Sequence, residues 1–431
     1  MKQLFASALL CLMTGPSWVQ AQNFDSKPVL KFKDQKEGPH FTIGARFMAD
    51  AAYYDTDFTQ LKSGAAITDA RIRTSMSYND WYFYADFDFS KGKFSQKNIF
   101  LQYAFNCGES GFLKVGYYND PSTMANNTSR GSLHFISRAA SVNALSAGRQ
   151  LGITYKYYND RFFCYQGVFA ENKYNDQAYG SQGVTFGGRW LYMPVNSDSR
   201  TFHAGAALRY ALINTGVMEE GVKKTCLNVG SSVQTYVDPF QFTNAAFPWA
   251  KDELNVGIEA LFRCKKQFVR GEYLFKYVKR EGSGQALSTA SGAWQAKNAF
   301  HGGYVEWGYQ FFGNGYKYDN KEGVLKGFDG KSFELVARYN YLNLNDIKDN
   351  ESGKYGSDMT STSGDAGMEN TGIASNSIRG GNMHSFTIGA NYSFVKYTQF
   401  LIEYTYNRIN CEKYQHDRDV HIVQARLIYS F

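Results

Sequence analysis

The chain has 431 residues, a formal charge of +7, 17% aromatic residues (32 Tyr and 34 Phe) and only seven prolines. So mild a charge, with no basic cluster, excludes a nucleic-acid partner, and no stretch beyond Ala21 approaches the roughly 20 apolar residues of a membrane helix. Five cysteines beyond the leader, Cys107, Cys164, Cys226, Cys264 and Cys411, are odd in number and irregular in spacing. That excludes a disulfide framework or a zinc site and leaves free thiols as the expectation, with a bridge within Cys107/Cys264 or Cys226/Cys411 as the alternative; no cofactor is implied.

Residues 1–21 read as a secretory signal, with Lys2 at the positive start, an apolar stretch from Leu4 to Met13, and Val19-Gln20-Ala21 before the cut. Its removal takes one lysine and no acid, so the charge falls from +7 to 7 − 1 = +6. Residues 22–38 are polar and irregular, a short periplasmic lead-in. From residue 39 to 431 the chain is a succession of about sixteen alternating stretches. They are His40–Ala51, Ile67–Ser77, Trp81–Phe89, Lys97–Phe105, Phe112–Tyr118, Leu151–Tyr158, Phe162–Phe169, Val184–Tyr192, Phe202–Leu212 and Leu254–Cys264. Phe268–Lys279, Phe300–Phe312, Phe333–Asn345, Phe386–Val395, Phe400–Arg408 and His421–Phe431 complete the set.

Mean hydropathy is −0.43, which by itself suits a soluble protein. A transmembrane barrel escapes that test, because only alternate residues of its strands face lipid. The final stretch shows the alternation most cleanly. Val423, Ala425, Leu427, Tyr429 and Phe431 share one face; Ile422, Gln424, Arg426, Ile428 and Ser430 share the other. A last strand ending on an aromatic suits a closed barrel and resembles the assembly signal of bacterial outer-membrane proteins. Connections alternate too. Asn79-Asp80, Asn106–Ser110, Asn159-Asp160, Pro194–Ser199, Lys265-Lys266 and Lys396-Tyr397 are short, whereas Asn119–Gly148, Asn214–Asp252 and the Gly/Ser-rich Asp346–His384 are long. The expected fold is therefore all-β: a transmembrane antiparallel barrel with short periplasmic turns and long outer loops. Gly313–Lys331 is the exception, long yet on the periplasmic side.

Four segments between Asp69 and Glu171 carry a family resemblance: Asp69-Ala-Arg-Ile-Arg73, Asp80-Trp-Tyr-Phe-Tyr-Ala-Asp-Phe-Asp-Phe89, Leu113-Lys-Val-Gly-Tyr-Tyr-Asn-Asp-Pro121 and Ala147-Gly-Arg-Gln-Leu-Gly152. In order and spacing they resemble the phosphate-selective porin O and P family. The resemblance implies a sixteen-stranded, homotrimeric outer-membrane channel for small anionic solutes, with a loop (119–148) folded into the pore and a basic lumen. Gly313–Lys331 resembles the family's periplasmic turn that enters the lumen. One departure stands out: where phosphate-selective members carry a pore lysine before the acid-Pro pair, this chain has Asn119.

Charge on a lipid face costs roughly 2–4 kcal/mol for Arg or Lys near the midplane, so the charged phase of each strand marks the lumen. That phase gives Arg46, Arg71, Arg73, Lys114, Lys156, Arg189, Arg209, Arg263, Arg270, Lys276, Arg338 and Arg426 against Asp50, Asp86, Asp88, Glu259, Glu272, Glu306, Glu334 and Glu403, or 12 − 8 = +4. The loop adds Arg130, Arg138 and Arg149 against the single acid Asp120. Rings of Arg and Lys favour anions. Arg71 and Arg73 read as free donors, with Asp86 and Asp88 as their obvious competitors; for the rest, cross-strand pairing that only holds the wall is equally expected. Asp86 and Asp88 read as solvated wall rather than glycosidase carboxylates, and no Ser-based motif surrounds the strand histidines, so the chain is not expected to be an enzyme. A barrel-anchored surface-binding or adhesion protein using Asp346–His384 and Tyr236–Trp249 is the alternative; a soluble all-β carbohydrate-binding protein or hydrolase is the third reading.

Overall fold

The computed structural model describes residues 38–56, 61–171, 182–219, 222–281, 297–346, 378–395, 397–410 and 418–431. The expected signal, the lead-in up to residue 37 and most of the Gly/Ser-rich segment lie outside them.

Sixteen antiparallel strands close into one barrel. They are β1 (His40–Thr56), β2 (Gly64–Tyr78), β3 (Trp81–Asp88), β4 (Ser95–Ala104), β5 (Phe112–Asn119), β6 (Arg149–Tyr158), β7 (Phe162–Ala170), β8 (Val184–Asn196), β9 (Arg200–Leu212), β10 (Ala250–Cys264), β11 (Gln267–Arg280), β12 (Lys297–Phe312), β13 (Ser332–Asp346), β14 (Ile378–Val395), β15 (Thr398–Asn410) and β16 (Arg418–Ser430). All sixteen predicted stretches are barrel strands. β14 begins at Ile378, so the polar segment before it is shorter than its composition suggested.

Closure is made by β16 against β1, from Arg46 opposite Ser430 to Thr56 opposite Val420. Phe431 continues the ladder: its N–H donates to the Ala45 carbonyl (3.0 Å), and the Ala45 N–H donates to the Phe431 oxygen (3.1 Å). Gly44 permits this seam, because a Cβ there would lie 2.5 Å from that oxygen. A closed ladder leaves no unpaired strand edge, which a membrane interior would not tolerate.

Short turns gather at one end and long connections at the other, apart from the 313–331 connection. Outward side chains are apolar along the whole circumference: Phe47, Ile72, Trp81, Val115, Trp190, Ile258, Val305, Leu335, Ile388 and Leu427 are all exposed. Aromatic pairs crowd the turn end, among them Trp81–Tyr103, Phe162–Tyr192, Phe311–Phe333 and Tyr429–Phe431. Apolar band and aromatic girdle together are the surface a lipid bilayer selects.

The interior is packed rather than hollow. From the loop end, residues 119–148 and a segment with three short strands (Gly216–Glu219, Val222–Ser231, Thr243–Pro248) pack against inward-facing Leu274, Val278, Phe300, Leu342, Met383, Ile409 and Ile422. From the turn end, Tyr316, Tyr318, Val324 and Leu325 of the 313–331 connection pack on Phe163, Tyr165, Leu191, Leu261 and Phe268. Cys107, Cys164 and Cys264 are free thiols.

Candidate pore lining and inserted loop

The 119–148 segment leaves β5 and crosses the lumen, and wall side chains hold its backbone. A four-residue helix at Met124–Asn127 starts at Thr123, whose hydroxyl accepts from the Asn126 N–H (3.1 Å). The first N–H groups of a helix lack intrahelical acceptors. Here Met124 and Ala125 donate theirs to the Glu272 carboxylate on β11 (2.9 and 2.7 Å). Further along, the Ile136 N–H donates to Glu403 on β15 (2.6 Å) and the Ser141 N–H to Asn340 on β13 (3.0 Å). In return Arg338 donates to the Ser137 carbonyl (2.7 Å), Arg426 to the Ile136 carbonyl (2.6 Å) and Asn391 to the His134 carbonyl (2.7 Å). His134 Nδ1 lies 2.9 Å from Glu334. Where the loop starts, Asp120 accepts from Arg209 (3.2 Å).

Most wall cations are consumed by carboxylates. Arg189 grips Glu259 with two donors (2.8 and 2.7 Å), and Arg426 grips Asp50 the same way (2.6 Å each). Arg270 pairs with Glu306 (2.6 Å), Arg338 approaches Glu306 (3.4 Å), Lys276 pairs with Glu253 (2.8 Å), and Arg209 bonds Glu253 as well. These groups are sealed: Arg189 is 0%, Arg426 1% and Arg338 2% exposed. A forked pair out of water satisfies both partners and leaves little field beyond itself.

The β2–β6 side differs. Arg71, Arg73, Tyr82, Tyr84, Lys97, Asn98 and Arg149 all keep part of their surface exposed. Among the described residues Arg138 donates to carbonyls of its own loop, Ala125 (2.8 Å) and Thr128 (2.9 Å). Arg149 donates to the Asn98 side chain (2.8 Å) and stands in the field of Arg71, Asp86 and Arg138. Among the described residues neither arginine has a carboxylate within ion-pair distance. Asn119 sits directly opposite Arg149 in the β5–β6 ladder, its amide donating to the Asn126 carbonyl (3.2 Å). Above them, the Arg130 guanidinium lies 3.7 Å from the centre of the Tyr236 ring. Burial pushes Arg130 down to about 10, which leaves it charged at neutral pH. Burial raises the Tyr236 hydroxyl, but Arg130, Arg138 and Arg426 outweigh it, and the net shift is downward.

The barrel, the inserted loop and the cationic side together narrow the field of relatives. The phosphate-selective porin O and P family profile matches residues 41–431. The chain belongs to that family. Its closed barrel matches solved outer-membrane proteins at low identity. One is the anion-selective porin from Comamonas acidovorans: 12% identity, 91% of this chain and 100% of that one covered, TM-score 0.51. Another is the outer membrane channel DcaP of Acinetobacter baumannii: 12%, 93% and 100%, TM-score 0.52. A third is the outer membrane protein OmpT of Vibrio cholerae: 11%, 93% and 100%, TM-score 0.52. No curated protein matches the sequence significantly. The porin is thus an outer-membrane channel by family and fold.

The expected pore residues separate into four groups. Arg46, Arg209, Arg338 and Arg426 are inward but tied up; Arg46 forks onto Asp69 with two bonds of 2.9 Å. Arg71 and Arg73 are the main correction. Asp69 lies in their phase on their own strand, so Arg71 sits 2.9 Å from both Asp69 and Asp86. Arg73 donates to the oxygens of Ala45, Ser430 and Phe431 (3.1, 2.8 and 3.2 Å), buttressing the β1–β16 seam. Lys114 lies between the Phe100 and Tyr118 rings, 4.1 and 4.3 Å from their centres. Arg138 and Arg149 stand in each other's field, whereas Arg130 lies 3.8 Å from both Asp50 and Asp69 and donates to the Thr68 carbonyl (2.7 Å). Sequence reasoning missed Lys97, which reaches Asp88 (3.3 Å) on the same exposed side, and Tyr236. Neither was readable: Lys97 shares its phase with the outward Ile99, Leu101 and Tyr103, and the register shift where β3 meets β4 turns it towards Asp88, while Tyr236 reaches Arg130 through the fold. Tyr236–Trp249, which the adhesion alternative would use as a binding surface, instead has Phe242 fully buried inside the barrel.

Proposed function

We propose that this porin is a passive diffusion channel with general anion preference, exported by residues 1–21 and assembled as a homotrimer in outer-membrane lipid. The observation that carries the reading is Arg138 and Arg149, two partly exposed cations beside the inserted loop with no carboxylate in reach among the described residues. Cations at a narrow, low-dielectric passage focus a field that concentrates anions. Arg71 and Lys97 line the same side with their charge largely balanced by Asp69, Asp86 and Asp88. Residues 119–148 act as the constriction, stapled by Glu272, Glu334 and Glu403.

Phosphate and other anionic nutrients enter this reading as members of a class. Asn119 opposite Arg149 supplies an amide where a lysine would add a second full charge, so tight phosphate binding is not expected. The trimer draws support from a solved trimer form of OmpT of Vibrio cholerae. Planar-bilayer recording across a potassium chloride gradient tests the function: the reversal potential should carry the sign of anion preference. A cation-selective or non-conducting wild-type barrel would overturn it.

A further inference from the structure

Three outward-facing histidines each meet a tyrosine of the neighbouring strand. Tyr273 Oη lies 2.6 Å from His301 Nδ1, Tyr339 Oη 2.8 Å from His384 Nδ1, and Tyr404 Oη 2.8 Å from His421 Nδ1. Tyr341 links the first two, its ring centre 5.6 Å from that of His301 and 4.8 Å from that of His384. The row occupies one level. His301 is 312 − 301 = 11 positions from the turn end of β12, His384 is 395 − 384 = 11 from that of β14, and His421 is 430 − 421 = 9 from that of β16. A strand rising about 3.3 Å per residue and tilted about 45° climbs roughly 2.3 Å per residue along the membrane normal. The histidines therefore stand roughly 21–25 Å above the turn end, at the outer edge of an apolar band about 25 Å tall.

An apolar cleft of about 950 Å³ runs up the lipid face below this row, lined by Ile258, Ala260, Val269, Gly271, Gly303 and Val305 and reaching Tyr341 and His384 at its upper end. The strands themselves keep it open. A Cβ on Gly271 would lie 2.6 Å from the Tyr304 oxygen, and one on Gly303 2.8 Å from the Glu272 oxygen. Charged side chains of both signs rim the row: Arg408 stands opposite His384 on one side and Asp419 on the other, and Lys279 stands opposite Lys297 and 3.9 Å from Asp252.

We propose that this face seats a phosphorylated lipid of the outer leaflet, with an acyl chain in the cleft and a phosphate on the imidazole row. With Nδ1 of His384 and His421 engaged by tyrosine, Nε2 is the nitrogen each ring offers to a phosphate oxygen. Lipid suits this face better than a second copy of the chain. Strands β10–β14 have 14 to 18 residues, more than the roughly 9–11 that span a bilayer, so this wall meets lipid over its whole height. On the other side β3 and β5 have eight each, a height better suited to a neighbouring subunit.

Native mass spectrometry of the detergent-extracted porin with added hexa-acylated, bisphosphorylated lipid A tests the seat. His384→Phe/His421→Phe keeps the aromatic row without its nitrogens, and Ala260→Trp fills the cleft. Retention of that lipid should fall at least tenfold in both variants, with heat-modifiable migration and conductance unchanged. Dephosphorylated lipid A should be retained equally by wild type and the histidine variant. Should Ala260→Trp fail to assemble, the histidine variant decides alone. The proposal is overturned by unchanged retention in the histidine variant or by displacement with equimolar inorganic phosphate. A change in subunit number without loss of lipid also overturns it, because a second copy would then occupy the face.

Discussion

Arg189 on the β8–β16 side and Arg149 on the β2–β6 side are both arginines of the barrel wall, yet they do different work. Arg189 is fully buried and forked onto Glu259, and it also donates to the Glu322 and Gly323 carbonyls of the 313–331 connection (2.9 and 2.8 Å). Arg149 keeps part of its surface and, among the described residues, bonds a neutral amide and no carboxylate. The difference comes from what fills the lumen. Inserted segments cover the β8–β16 wall, and cations stranded there must be paired, since an unpaired buried charge is costly. On the β2–β6 side Arg71, Lys97 and Arg149 keep part of their surface exposed, and a cation can stay unneutralised there. A count of charges in phase, +4 for the wall, therefore says little about selectivity; the arrangement of partners decides it.

Breaking the sealed side has the largest expected effect. Arg189→Met leaves the buried Glu259 with His203 (3.1 Å) as its remaining close partner and should destabilise the barrel by about 3 kcal/mol, read from urea unfolding in lipid vesicles. An equal loss from Arg149→Met would erase the contrast between the two sides. Opening the lumen comes next. Excising Ser122–Ser146 from the loop should raise single-channel conductance several-fold, and a folded deletion conducting like wild type would remove the loop from the constriction.

Smaller effects sharpen the exposed side. Asn119→Lys places a second cation opposite Arg149 and should increase phosphate block of chloride current. Micromolar block already present in the wild type would mean that the amide at 119 matters less than its position suggests. Anion preference should also fade with salt, because the Debye length is about 8 Å at physiological ionic strength and about 3 Å at 1 M. Permeability ratios at three salt concentrations check this, and a ratio independent of salt would point to size rather than charge.

Much of this was legible in the chain. Alternation marked all sixteen strands, and loop lengths gave the sidedness, because two solvents impose a period of two on every strand. What alternation could not give was the filling of the lumen. Ile422 and Ile428 share the phase of Gln424 and Arg426, and both are buried within the barrel. Apolar side chains in the water-facing phase signal that protein covers them there. The status of Arg71 was readable in part: Asp69 stands two residues away in the same phase and pairs with it. Arg73 was not, because its partners come from the far end of the chain through closure. The isolation of Arg138 and Arg149 depends on how the loop crosses the lumen, which local pattern does not encode.

The most direct test of the central claim is the reversal potential of two paired variants in dilute potassium chloride. Arg138→Gln/Arg149→Gln removes the two cations without carboxylates, while Arg71→Gln/Arg73→Gln removes two whose donors are engaged. A charge about 4 Å from the path is worth about 1 kcal/mol in water, or roughly a fivefold change in permeability ratio. The loop-side pair should therefore move the potential clearly towards cation permeability, and the β2 pair should move it less. A larger shift from Arg71→Gln/Arg73→Gln, or none from Arg138→Gln/Arg149→Gln, would contradict the account.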